Sequence, residues 1–466
     1  MTTSVDSPID PRTSGTSARN TYVKPRGPIG RIVAASLGTG LLSALALTLF
    51  AVPGAPEHVI TGWALLGVAV GWTMLAVLST RLTSQPQRWA AVPAAAVGIT
   101  GAALLIVAPD NDALTTAGWI WPAILLALVF WSGVQARRSL RTRARAWMLY
   151  PVLALLALAA VGGGYQSVRT AQDRSTYPMP GQAYDVGGHR LHLNCVGTGS
   201  PTVVLENGLS ESSPYWSRIT PAVGRSTRVC AYDRAGQGWS EDAPQPVDGL
   251  RNAADLHTLL DRAGENGPFI LVGHSTGGTY AMTYAAQYPA QVAGMVLLDS
   301  SSPDQLTALP DFPGQYAVMR RVLALTPPLT RTGVAQLAPS STWSDLPEPA
   351  AAQVRAFAAD ARGPRSTRGE QSVLPAVFEQ AKALISLGGK PLVVLTASDN
   401  VRTTRGWSAA QAHLATLSSN SSHRVAEATH VGLLDDQNAA AISARAINDV
   451  VQSARTGHPV RRQHRQ

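Results

Sequence analysis

A serine hydroxyl becomes a useful nucleophile at neutral pH only when a base removes its proton and a carboxylate orients that base. The chain offers such a serine in Phe269-Ile-Leu-Val-Gly-His-Ser-Thr-Gly-Gly278, where an apolar run enters Gly-x-Ser-x-Gly and an apolar stretch from Thr279 to Gln287 follows. A strand, a tight turn and a helix are expected there, with Ser275 at the apex. Gly273 and Gly277 leave room for the close approach that such a turn needs.

The remaining partners follow in the order Ser, Asp, His. Asp399 ends the apolar run Leu392 to Leu395 in Thr396-Ala-Ser-Asp399, and His430 sits in Ala428-Thr-His-Val-Gly432. These two are the preferred acid and base. Asp299, in Leu297-Leu-Asp-Ser-Ser301, also ends a strand-like run and is the alternative acid. Backbone N–H groups must face the oxyanion that develops on attack. The Thr276 amide is one candidate, and the Leu209 amide of Glu206-Asn-Gly-Leu209, where Gly208 permits a tight turn, is the other. An ordinary strand-ending turn is the competing reading of that loop.

The elements that must position these groups read as an alternation of short β-rich runs and helical stretches from Gln182 onward. A hairpin comes first, Ala183 to Val186 and Arg190 to Val196 around Gly187-Gly188. Strands are then expected over Thr202–Glu206, Arg228–Tyr232, Phe269–Val272, Met295–Leu298, Pro391–Leu395 and His423–Ala426. Residues from about 303 to 388 carry no clear strand and are too long for a plain loop, so they are expected to form a helical lid. Phe312, Tyr316, Trp343, Phe357 and Phe378 there either line a substrate pocket or hold the lid to the core.

Four motifs now stand together: the Asn207-Gly208 loop, Tyr232-Asp-Arg-Ala-Gly-Gln-Gly-Trp-Ser240, the turn around Ser275, and the Asp399 and His430 pair. From about Tyr184 to Ala454 the chain resembles the α/β-hydrolase superfamily. The resemblance implies an α/β-hydrolase fold with a mostly parallel sheet and a helical lid, spanning 182–454. It assigns Asp233 and Arg234 to structure and not to catalysis. The family often has His-Gly where this chain has Asn207-Gly208. A serine nucleophile separates it from the branches of the fold that use aspartate. The family topology also sets the second and fourth strands side by side, which brings Cys195 and Cys230 together. A disulfide is then implied, with two buried thiols as the other reading.

The first third of the chain is different. Residues 1–29 are rich in Ser, Thr, Pro and Gly and read as a disordered tail. Five apolar stretches then follow, 32–52, 60–80, 89–108, 114–134 and 147–164, each of a length that spans about 30 Å of hydrocarbon. An all-α five-helix transmembrane region over 30–165 is therefore expected, with 166–181 as a linker and 455–466 as a basic tail.

Arginine marks the cytoplasmic side. Arg12, Arg19, Lys24 and Arg26 lie in the N-terminal tail, Arg81 and Arg88 in the second loop, and Arg137, Arg138, Arg141, Arg143 and Arg145 in the fourth. Glu57, Asp110 and Asp112 lie in the first and third. The hydrolase part is then extracytoplasmic, where a disulfide persists. No ionisable residue falls inside the five apolar cores, so an anchoring role is expected. Trp63, Trp72, Trp119, Trp121 and Trp131 either form interfacial belts or pack between helices.

A net charge of +9 is spread over these loops and not gathered into a patch, which argues against nucleic acid as a partner. The expected partners are a small-molecule acyl substrate and the lipid bilayer, with the oligomeric state left open. The chemistry needs no metal and no organic cofactor. An ester-like acyl bond is the first substrate class. An aminopeptidase or acyltransferase on the same fold is the alternative, and a non-enzymatic ligand-binding membrane protein is the reading from another class.

Overall fold

The computed structural model describes residues 29–140, 147–244, 246–337 and 345–461. The tail before Ile29, Arg141, Arg143, Arg145, Trp343 and the residues after Arg461 lie outside the described residues.

The apolar stretches become helices. Ile29–Ala46 continues as a π-helical turn over Leu47–Ala51, and Glu57–Leu82, Ala91–Val107 and Leu149–Thr176 follow. Among the described residues, four helices are long and apolar enough to cross a membrane. A fifth span requires Asn111–Ala117 and Trp121–Ser139 to act together across a 46° bend. The first two helices cross closely because Gly71 lies against the Ser36 carbonyl and the Gly40 backbone, where a Cβ would collide. Trp72, Trp89 and Trp131 meet edge to face inside the bundle, with centroids 6.0 and 6.4 Å apart. The last helix runs on to Thr176, so most of the expected linker 166–181 is helical.

The rest of the chain forms one eight-stranded sheet in the order β1-β2-β4-β3-β5-β6-β7-β8. The strands are β1 Gln182–Asp185, β2 Arg190–Val196, β3 Val203–Glu206, β4 Val229–Tyr232, β5 Phe269–His274, β6 Val292–Leu298, β7 Leu392–Ala397 and β8 Ser421–Ala426. Strands β3 to β8 are parallel, whereas β1 and β2 join antiparallel at one edge. The central strands are buried on both faces, which is why they read as continuous apolar runs. One face packs against Gly249–Arg262 and Gly277–Gln287, the other against Trp216 and Gln437–Thr456. Cys195 and Cys230 sit directly opposite each other on β2 and β4 and are disulfide-bonded.

Between β6 and β7 the described residues form helices, chiefly Phe312–Thr330, Ala350–Ala359 and Arg362–Ala381. This lid rests on the bundle. Buried Glu57, at the start of the helix Glu57–Leu82, receives the guanidinium of Arg331 and lies 3.4 Å from Arg365 Nη1. Arg331 also donates to the Leu114 carbonyl at 3.1 Å, and Asn111 donates to Asp242 at 2.8 Å. The first and third loops of the bundle thus face the same side as the eight-stranded sheet domain.

Candidate active site

The elbow forms where β5 ends. Ser275 has φ 54°, a left-handed conformation that costs a non-glycine residue energy and is held here by its surroundings. Its N–H donates to the Leu298 carbonyl at 3.2 Å, and its own carbonyl accepts from Ser301 N–H at 2.9 Å. Gly277 lies on the carbonyls of Glu206 and Asn207, so any Cβ there would push the elbow off the loop after β3.

Register sets the neighbour. His274 of β5 pairs with Leu298 of β6, so the next residues, Ser275 and Asp299, leave adjacent strands side by side. Asp299 also has positive φ, 42°, and is fully buried. Its carboxylate accepts from His430 Nδ1 at 2.6 Å, Asn400 Nδ2 at 2.6 Å, Trp407 Nε1 at 2.7 Å and Ala397 N–H at 3.1 Å. Four donors around one buried carboxylate stabilise the anion.

The structure therefore corrects the preferred acid. Asp399 does not meet His430: its carboxylate is 44% exposed and lies 3.9 Å from Arg402. Leu395 pairs with Leu298, yet β7 runs two residues further to Ala397 before a short helix, Ser398–Thr403, begins. Asp399 therefore falls beyond the sheet edge, on a helical turn that points it to solvent. Its neighbour Asn400 turns inward instead, reaching both Asp299 and His430, the latter at 3.3 Å from Nδ1.

His430 stands over the elbow. Its ring lies 4.5 Å from that of His274, the residue before Ser275, and its carbonyl is 3.0 Å from His274 Nε2. With Nδ1 engaged by Asp299, Nε2 is left for the proton of an incoming hydroxyl. Beneath it, buried His274 lies 2.7 Å from Glu211 Oε1. Burial alone would lower the His274 pKa, but the charge and hydrogen bonding of Glu211 outweigh it and raise the value. Glu211 is buried too, and its histidine partner and the Gly208 N–H hold its pKa down. Each partner thus favours the charged form of the other beneath His430.

The two expected oxyanion donors lie on the turn after β3 and at the residue after Ser275. Gly208 N–H donates to Glu211 at 2.6 Å, which fixes the turn that presents the Leu209 amide. Among the described residues, neither Leu209 N–H nor Thr276 N–H donates a hydrogen bond. Asn207, in the position where the family often has histidine, is locked by Trp216 Nε1 at 2.7 Å and by the Tyr232 carbonyl at 2.9 Å.

Sequence reasoning assigned Arg234 to structure, and its position shows what that structure is. Its buried guanidinium donates to the carbonyls of Asn207 and Gly208, at 2.5 and 2.9 Å, and pairs with lid residue Glu370 at 3.0 Å. Asp233 carries His192 at 2.8 Å and the Ser213 amide at 2.6 Å. Asn400, Trp407, Glu211 and Glu370 were missed, because no local pattern marks a residue whose partner is distant in the sequence.

Of the lid aromatics, Phe312 packs with Phe378 at 6.0 Å, Phe357 on Trp239 at 4.8 Å, and Tyr316 donates to the Gln371 carbonyl at 3.1 Å. These contacts hold the lid together and to the domain. A groove of about 570 Å³ between β2, Trp239 and Pro349 contains none of Ser275, Asp299 and His430. Cys195, Cys230 and Glu265 cluster closely, but a disulfide has no thiolate to offer a metal.

Residues 201–437, a little over half of the chain, match the family model of the alpha/beta hydrolase fold. An uncharacterized protein of Schizosaccharomyces pombe (strain 972 / ATCC 24843) is 31% identical over 173 residues, 30% of this chain and 32% of that protein. Lipase LipV of Mycobacterium tuberculosis (strain ATCC 25618 / H37Rv) is 40% identical over 111 residues, 23% of this chain and 41% of the lipase. The matched part is thus less than half the length of these curated relatives. Among solved structures, a thermophilic esterase from Thermogutta terrifontis is similar over 57% of this chain and 95% of its own, at 22% identity and a TM-score of 0.45. The chain belongs to the α/β-hydrolase fold family.

Proposed function

We propose that the protein is a membrane-anchored serine hydrolase that cleaves an ester-like acyl bond. Ser275 is the nucleophile, His430 the base and Asp299 the acid that orients it. The observation that carries this reading is the 2.6 Å contact of His430 Nδ1 with a buried, four-times-bonded Asp299, one register position from the elbow serine. His430 takes the Ser275 proton as the oxygen attacks the acyl carbonyl, and the amides of Leu209 and Thr276 receive the oxyanion. The protonated histidine then gives its proton to the leaving alcohol. Water, activated by the same histidine, attacks the acyl-enzyme and releases the acid and Ser275. The helices before Thr176 anchor the enzyme, with the hydrolase domain extracytoplasmic as the loop arginines suggest.

Labelling of the membrane-embedded protein by a fluorophosphonate tests this. The parent is expected to label and Ser275→Ala to lose all labelling. A folded parent that stays unlabelled would sink the hydrolytic reading and favour a ligand-binding role.

A further inference from the structure

The lid sits where the bundle ends. The first membrane helix, with its π turn, runs over 23 residues. At about 1.5 Å per residue that matches the roughly 30 Å hydrocarbon thickness with little to spare. Leu47–Ala51 therefore falls at a hydrocarbon boundary, the one nearer the hydrolase domain. Lid helix Phe312–Thr330 packs against this turn and against the start of Glu57–Leu82. Arg320 lies on Gly54, and the Arg321 guanidinium is 5.5 Å from the centroid of the Phe50 ring, itself 69% exposed. The segment after the helix reaches the last membrane helix, where Thr332 and Gly333 rest on Gly162.

The outward face of this lid is apolar. Val318, Val322 and Leu329 fall on one side of the helix, at i, i+4 and i+11, and all three are exposed. Val334 and Leu337 in the short turn that follows are exposed as well, so five exposed large apolar side chains fall within 20 residues. Elsewhere in the hydrolase domain such residues, for example Leu250, Ile385 and Val425, stand far apart in the sequence. A clustered patch of this kind marks an interaction surface. Its neighbours decide the occupant: Arg321, next to Val322 on the helix, brings the edge of the patch to exposed Phe50 at the hydrocarbon boundary, while Arg320 on the other side of the helix reaches Gly54, so both cations stand at the level of anionic head groups.

We propose that the lid is an interfacial membrane element: the Val318–Val322–Leu329 face, with Val334 and Leu337, inserts into the leaflet on the hydrolase side. The lid of the candidate site is then bounded by lipid, and the substrate class this fits is a long-chain acyl ester taken from the bilayer. The insertion rests on the apolar helices being membrane spans, and the substrate class rests on the proposed serine chemistry.

Nitroxide labels on cysteines introduced singly at Val322, Leu329, Leu42 and Ile385, in phosphatidylcholine–phosphatidylglycerol vesicles, separate these layers. Collisions with oxygen report lipid, and collisions with a soluble nickel chelate report water. Leu42 is the membrane reference, 68% exposed on the first helix, and Ile385 the aqueous one, 82% exposed on the hydrolase domain. The expected result is that Val322 and Leu329 behave like Leu42. Nickel exposure equal to Ile385, with Leu42 still in lipid, overturns the insertion, as does shielding from both reagents, which would mean that protein covers the face. A water-exposed Leu42 would instead overturn the membrane reading itself.

The substrate class has its own arm. Val322→Glu with Leu329→Glu should lower hydrolysis of a long-chain ester in vesicles about tenfold or more, because carboxylates resist entry into hydrocarbon. Hydrolysis of a short soluble ester should be unchanged. Equal loss on both esters would overturn lipid delivery. A parent inactive on the soluble ester as well would overturn the serine chemistry and leave the labelling result standing.

Discussion

Two strand ends of the same sheet each carry an aspartate, and only one is placed for the site. Asp299 leaves β6 one residue after a register pair with β5, is fully buried and is met by four donors. Asp399 follows β7 on a helical turn, almost half exposed, with one distant arginine. A third strand-end carboxylate, Glu206 of β3, is buried like Asp299, but its described partners are longer contacts, 3.5 Å to Arg234 Nη1 and 3.4 Å to Asn252 Nδ2. The difference teaches that the end of a strand gives a carboxylate its location, while the donors around it decide what it can hold in place.

The comparison breaks most sharply at the two aspartates. Asp299→Asn should lower kcat/KM on a soluble ester on the order of 10⁴-fold, since a misoriented base loses most of its value. Asp399→Asn should change it by less than about twofold, as expected for an exposed charge. If the two variants reversed their order, the assignment of Asp299 would be lost.

A sharper form moves the carboxylate. Because Asn400 reaches both Asp299 and His430, Asp299→Asn combined with Asn400→Asp should recover activity by about 10- to 100-fold over Asp299→Asn alone, as one good charge-assisted hydrogen bond would. Steady-state rates of the single and double variants decide this, and a double variant no better than the single one means that the geometry around Asn400 cannot orient the base.

Removing one donor tests the solvation of Asp299. Trp407→Phe keeps the packing and deletes the 2.7 Å bond, so kcat should fall about tenfold, the equivalent of roughly 1.4 kcal/mol. An unchanged kcat would show that the indole only fills space.

The smallest effect concerns Glu206, whose pKa burial pushes up to about 7 against Arg234 and its hydrogen-bonding neighbours. A raised carboxyl pKa means that the fold favours the neutral acid. Its stabilising contribution is complete below the ordinary carboxylate range and is lost as pH rises through about 7. Glu206→Gln stays neutral throughout. The Tm of the parent minus that of the variant, measured in detergent from pH 5 to pH 8, should therefore decline with pH and level off above 7. A difference that does not move with pH would show that Glu206 ionises as freely in the fold as out of it.

Much of this architecture was legible because it is local. Periods and run lengths report what a residue's near neighbours bury, so the apolar spans, the hairpin at Gly187-Gly188, the central strands and the elbow around Ser275 could be read directly. His430 was legible because it is the first histidine after the last strand run and stands in a small-residue loop. The choice between Asp299 and Asp399 was not legible, since both stand in the same local pattern.

By itself, then, the sequence determined the membrane-compatible helices, the mostly parallel sheet and the elbow around Ser275, each carried by a contiguous motif, and it put forward His430 and the amides of Leu209 and Thr276 as candidates. Only the tertiary structure decided which carboxylate meets His430. It also decided that Arg234 joins the loop after β3 to lid residue Glu370, and that Glu57 clamps the lid to the bundle through Arg331 and Arg365. The reason is physical. Register and the overrun of β7 past the sheet edge are set by packing between distant segments, and a polar group's partner is whatever that packing leaves within about 3 Å of it.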